Sequence, residues 1–147
     1  MQTIRHLMQD KKILAVEAEA TVLEAARYMS KHVVGAVPVV KSGKILGMFT
    51  ERDLMTRVVV PGKDPSTTPV LDVMTREVVT AGPDERRSRC IALMTANHCR
   101  HLPILENDRL LGTISLRDLL VEDVEEREEE VKRLTEYVQY VPPGFQE

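Results

Sequence analysis

The stretch GTISLRDLL, residues 112–120, answers an earlier one, GMFTERDLM, residues 47–55. Both run Gly, two residues, a hydroxyl side chain, two residues, Asp and Leu. The correspondence extends well beyond these segments. Met29 and Met94, Pro38 and Pro103, Gly47 and Gly112, and Asp53 and Asp118 are each separated by 65 positions. Upstream the offset is 66, with TIRHLM (3–8) matching PVLDVM (69–74), so one residue is lost between Met74 and the next helix. A constant offset over several residue types marks a tandem repeat, and this decides the fold before any local reading does. Each copy is too small to bury a good core alone, so the two are expected to pack face to face as one unit. PGKDPSTTP (61–69), rich in Pro, Gly and Ser/Thr, reads as the loop between them.

The strand and helix periods give one order in both copies: strand, helix, strand, strand, helix. KKILAV (11–16) and REVVTA (76–81) are short β-rich runs. Thr21 and Glu24 form a capping pattern at the start of TVLEAARYMSKH, where Val22, Ala25, Ala26 and Met29 share a helical face. VPVV (37–40) and KILGMF (44–49) form a hairpin across Lys41-Ser42-Gly43, and LPIL (102–105) and RLLGTI (109–114) form another across Glu106-Asn107-Asp108. The last helices start near Thr50 and Ser115. The expected divisions are 3–60 for repeat 1, 61–69 for the linker, 70–121 for repeat 2, and 122–147 for an acidic C-terminal helix and flexible tail. In that helix Leu120, Val124, Val131, Leu134, Val138 and Val141 keep a heptad register, interrupted by Arg127. Its apolar stripe serves either its own domain or a second subunit.

Composition removes several functional classes. The chain has 147 residues, of which 43% are hydrophobic and 3% aromatic, and its net charge is −3. That balance fits neither a basic nucleic-acid surface nor a stacking platform for single strands. No stretch approaches a membrane span or a signal peptide, so a cytoplasmic protein is expected. Cys90 and Cys99 read as reduced packing thiols. The cluster NHCRH (97–101) lacks zinc spacing, and neighbouring residues beside a strand point to opposite sides, so neither a metal nor catalysis is expected there.

The repeated motif has its own chemistry. A hydroxyl at a strand-to-helix junction sits among unpaired backbone N–H groups at the positive end of the helix dipole, a place that suits phosphate. The carboxylate three residues on lies one turn away and repels phosphate, but it can accept hydrogen bonds from the paired hydroxyls of a ribose. Together the two describe a nucleotide. Ser or Thr followed by Asp is also a plain helix cap. The second copy, and a Gly in each that permits close approach, favour a ligand.

GAVPVVKSGKILGMFTERDL and RHLPILENDRLLGTISLRDL, each preceded by an apolar lead-in ending in Met, resemble the tandem cystathionine-beta-synthase (CBS) domain pair, or Bateman module, over about residues 3–121. The resemblance implies an α/β fold of two repeats packed with pseudo-twofold symmetry, clefts that take an adenosine nucleotide (AMP, ADP, ATP, NAD or S-adenosylmethionine), and a homodimer. It implies a regulatory sensor rather than an enzyme, passing its state to a regulated protein; the alternative is an interaction scaffold with vestigial pockets. In the first implied site Ser115 and Asp118 hold phosphate and ribose, Arg100 and His101 reach phosphates, and Val16, Val34 and Gly35 flank the purine. In the second, Thr50 and Asp53 take the polar roles, with Gly35 and Ala36 nearby and Val79, Thr80, Cys99 and Arg100 on the base side. Arg100 with His101 makes the first site the tighter one for phosphate. One departure stands out: Arg87 and Ser88 replace Val22 and Leu23 of the first copy. Arg86, Arg87 and Arg89 serve either a charged ligand or, the favoured reading, acidic groups such as those of the C-terminal helix.

Overall fold

The computed structural model describes residues 2–139. Its elements are α1 (Arg5–Met8), β1 (Val16–Glu17), α2 (Val22–His32), β2 (Ala36–Lys41), β3 (Lys44–Thr50), α3 (Glu51–Asp53), α4 (Arg87–Ala96), β4 (His101–Glu106), β5 (Arg109–Ser115) and α5 (Leu116–Gln139). α3 opens directly into a wider π-helical turn over Leu54–Val59. The two repeats are thus α/β units, and their hairpins match closely. Ser42-Gly43 and Asn107-Asp108 are all at positive φ, the paired requirement of the tight two-residue turn that suits strand twist. The register slips between Val39 and Val40 in one hairpin and between Ile104 and Leu105 in the other, the same place in each copy.

The first strand of each copy is shorter than the sequence pattern predicts. KKILAV contributes only Val16, continued by Glu17, paired parallel to β2. REVVTA contributes a single bridge, Ala81 to Ile104. The difference has a chemical reason. In the first copy the N–H of Ala18 extends the ladder to the carbonyl of Val40 at 2.9 Å. The corresponding residue in the second copy is Pro83, which has no N–H to give.

The core is divided by an exchange of lead-ins. Val70, Val73 and Met74, the lead-in that opens the second repeat, are buried with Val22, Ala25, Val37, Val39 and Phe49 of the first. Ile4 and Met8, in the lead-in that opens the first repeat, are buried with Cys90, Met94, Leu102, Ile104, Ile114 and Leu119 of the second. Backbone hydrogen bonds fix both seats: Ile4 N–H to the Glu85 carbonyl at 2.9 Å, and Val70 N–H to the Ala20 carbonyl at 2.7 Å. The reciprocity is what a twofold relation between repeats requires, and β3 and β5 meet across it.

α5 joins the second repeat's last helix and the C-terminal helix into one rod of 24 residues, unbroken at 121 and 122. Arg87, the departure from the first copy, pairs with Asp123 at 3.0 Å and Glu126 at 2.9 Å on that rod, which explains charge where α2 carries Val22. His6 Nε2 lies 2.5 Å from Glu122 Oε1. Beyond these clamps Val131, Leu134 and Val138 are exposed, so the stripe does not dock on its own domain. Val141 and the PPGFQE ending lie outside the described residues.

Candidate nucleotide cleft

A cleft of about 1200 Å³ opens between the repeats. It brings together Ser115, Asp118, Arg100, His101, Val34 and Gly35 of the first expected site, with Ala36, which the sequence reading put at the second. Val16 is not among its lining residues; it is buried in the first core, and Leu14 lines the cleft instead. Val33 forms the rim in a left-handed conformation (φ 55°) and is 89% exposed. A branched side chain rarely adopts that backbone, and such strain concentrates at functional positions.

The grip itself is a reciprocal cap. Ser115 Oγ accepts from the Asp118 N–H at 3.0 Å, and Asp118 Oδ2 accepts from the Ser115 N–H at 3.0 Å. Oδ2 also accepts from Lys11 Nζ at 2.7 Å. Partial burial pushes the Asp118 carboxyl up, but the Lys11 ammonium and the Ser115 N–H together hold it below its ordinary value. Asp118 is therefore ionised and partly open, its side chain 36% exposed.

The matching residues of the first repeat are committed elsewhere. Asp53 Oδ2 accepts from the Thr50 N–H at 3.0 Å, and the Thr75 hydroxyl reaches both carboxylate oxygens at 3.0 and 3.1 Å. Thr50 Oγ1 caps the Asp53 N–H at 3.1 Å, and Arg57 stands 3.7 Å from Oδ1. The Asp53 side chain is 7% exposed. Asp53 thus uses its lone pairs inside the fold, where Asp118 keeps Oδ1 without a partner among the described residues. Val79 and Cys99 pack against the second core, and Thr80 is exposed.

Charge around the cleft is mixed but leans positive, with Lys11, Lys12, Arg100 and Arg117 against Glu51, Asp118 and Glu125. Thr113 also lines it, its hydroxyl buried with no hydrogen-bond partner among the described residues. The sequence reading missed Lys11, Lys12, Leu14, Glu51 and Thr113. Its one available signal was the Lys11-Lys12 pair ahead of an apolar run, too common to single out. Cys90 is fully buried, and burial, then the nearby Glu85, push its thiol up; burial does the same at Cys99. Both are poor nucleophiles.

His101 is neutral in this setting: burial first, and the Arg100 charge second, lower its pKa from 6.5. The unfolded chain then binds more protons at this residue as pH falls through about 6.5 toward the folded value. Its contribution to stability is complete above that window and erodes on acidification. The melting temperature should fall between about pH 7.5 and pH 5.5, and His101→Gln should flatten part of that fall. An unchanged pH profile in the variant would remove His101 as a source.

The model of the CBS domain family matches residues 4–60 and again residues 70–125. The chain belongs to the CBS-domain family. This CBS pair is 37% identical over 124 residues to the CBS domain-containing protein CBSX3, mitochondrial, of Arabidopsis thaliana, covering 81% of this chain and 60% of that protein's length. Among solved structures, it resembles a putative signal-transduction protein with CBS domains from Burkholderia ambifaria (32% identity, TM-score 0.80, 84% of this chain and 95% of that one). It shares its fold with the CBS domain pair of protein MJ0100, solved in complex with 5-methylthioadenosine and S-adenosyl-L-methionine (20% identity, TM-score 0.75, 85% and 98% of the two chains). Among the described residues no helix of the CBS pair is long and apolar enough to cross a membrane.

Proposed function

We propose that this CBS pair is a regulatory module that senses an adenosine nucleotide of the AMP, ADP, ATP or NAD class in the Asp118 cleft and passes the state to a partner protein. The observation that carries the reading is an ionised, partly open carboxylate at a helix start, inside a large cleft that also holds Arg100 and Lys11. Asp118 suits a ribose diol, the cations suit phosphate, and Val33, Val34 and Leu14 offer an apolar wall for a base. The ligands of the MJ0100 pair, both adenosine compounds, support the base and sugar assignment on the shared fold. The role is binding rather than catalysis, and two free thiols suit the reducing cytoplasm.

A homodimer is part of the proposal. Met55 and Val59 on one repeat and Leu120 and Val124 on the other occupy equivalent positions, 65 apart, and all four are exposed. Two such faces would be covered by a second copy. At the Thr50–Asp53 side the buried, fully engaged carboxylate favours a structural role, so one nucleotide per chain is expected.

The test is thermal melting of the purified protein, checked for co-purified ligand, against AMP, ADP, ATP, NAD and S-adenosylmethionine, with GTP as control. A specific ligand at a hundredfold excess over its dissociation constant adds about 2.7 kcal/mol. A shift with at least one adenosine nucleotide and none with GTP is the expected result. No shift with any of them overturns the reading and leaves an interaction scaffold.

A further inference from the structure

The Asp118 cleft is latched from within by a residue of the opposite repeat. Lys11 lies 107 positions from Asp118 in sequence, yet its ammonium sits 2.7 Å from Oδ2. It is held there by the chain. Residues 11 and 12 cross directly over Gly112, where an added Cβ would stand 3.8 Å from the Lys11 Cβ and 3.9 Å from the Lys12 carbonyl. Oδ2 therefore has two donors, Lys11 and the Ser115 N–H, and a diol that needs both carboxylate oxygens meets an occupied one. In the first repeat a neutral hydroxyl, that of Thr75, holds the corresponding carboxylate from inside the protein. Here the occupant is a cation on a flexible stem, itself 30% exposed and facing the cleft.

We infer that Lys11 is a specificity-determining residue, selecting phosphorylated adenosine compounds over neutral or cationic ones by having to leave Asp118 when ligand enters. This rests on the nucleotide reading above. A ribose that displaces the ammonium leaves a cation without a partner inside a partly closed cleft. A ligand phosphate within reach of the four-carbon stem gives it a new one, beside Arg100. A nucleoside offers nothing in exchange, and a sulfonium repels it.

The experiment is calorimetric titration of AMP and of adenosine into the full chain, its Lys11→Met variant, which keeps the apolar stem, and Lys11→Arg. Wild type should prefer AMP. In Lys11→Met adenosine should bind about fivefold tighter, the worth of one partly exposed ion pair, while AMP weakens and the preference shrinks about tenfold or more. Lys11→Arg should restore most of it. A merely structural lysine would weaken both ligands or neither, so adenosine binding that does not tighten, or an unchanged preference, overturns the inference while AMP binding still stands. If neither ligand binds wild type, the nucleotide reading fails, and this inference fails with it.

Discussion

Gly47→Ala should destabilise the protein by about 3 kcal/mol and lower Tm by roughly 6 to 12 °C. A Cβ at this position would lie 2.5 Å from the Thr75 carbonyl oxygen and 2.8 Å from Met74 Sδ. The sulfur belongs to a flexible side chain, but the oxygen is backbone and cannot rotate away. It is fixed, moreover, by the bridge in which Met48 and Thr75 exchange hydrogen bonds at 2.9 and 2.8 Å. Relief thus requires the second repeat's lead-in to lift from β3, exposing Val70, Val73 and Met74, which complete the first core. Gly43→Ala is the control. Gly43 has open space around it and only a positive φ of 77° to lose, a cost of about 1 kcal/mol. Urea denaturation of both variants separates the two effects, and equal losses would mean that the lead-in does not bear on β3 as described.

Asp118→Ala should abolish most ligand binding while Asp53→Ala should leave it in place and cost stability instead. Removing two hydrogen bonds to a charged acceptor is worth about 2 to 4 kcal/mol, some thirty- to thousandfold in affinity. Asp118 caps a long helix from a half-buried position open to the cleft, so its loss should reduce stability by only about 1 kcal/mol. Asp53→Ala strands the Thr75 hydroxyl and the Thr50 N–H in a buried place and should cost about 2 to 3 kcal/mol. Isothermal titration and thermal melting of the same two proteins give both numbers. A folded Asp53→Ala protein that no longer binds nucleotide would move the site to the first repeat's carboxylate.

The contrast between these two aspartates shows what can be read from a sequence here and what cannot. The repeat, the hairpins and the helix starts are local patterns, and Thr21, Thr50 and Ser115 cap the helices as their spacing predicts. Locally Asp53 and Asp118 are equivalent, each bonded to the N–H three residues back. What divides them arrives from far along the chain: Thr75 in one case and Lys11 in the other. The 66-residue offset of TIRHLM and PVLDVM announced that lead-ins exist, but not that each sits in the other's core. Pro83 is a different kind of miss. Its missing N–H was visible, yet its effect on REVVTA appears only once Ala18 is seen donating at the matching position.

The exchanged lead-ins bear on how such a molecule could arise. A solitary repeat would carry an arm with no seat and a groove with no occupant, and the simplest closed solution is two copies swapping arms. Joining the copies through residues 61–69 turns that encounter into a loop closure, whose entropic cost grows only slowly with length. The second arm is then present at a high effective concentration set by the tether, however dilute the protein is. Duplication in this view did more than double a motif: it freed the fold from dependence on meeting a twin, and let the two halves diverge, one carboxylate closing into structure while the other kept an edge toward the cleft.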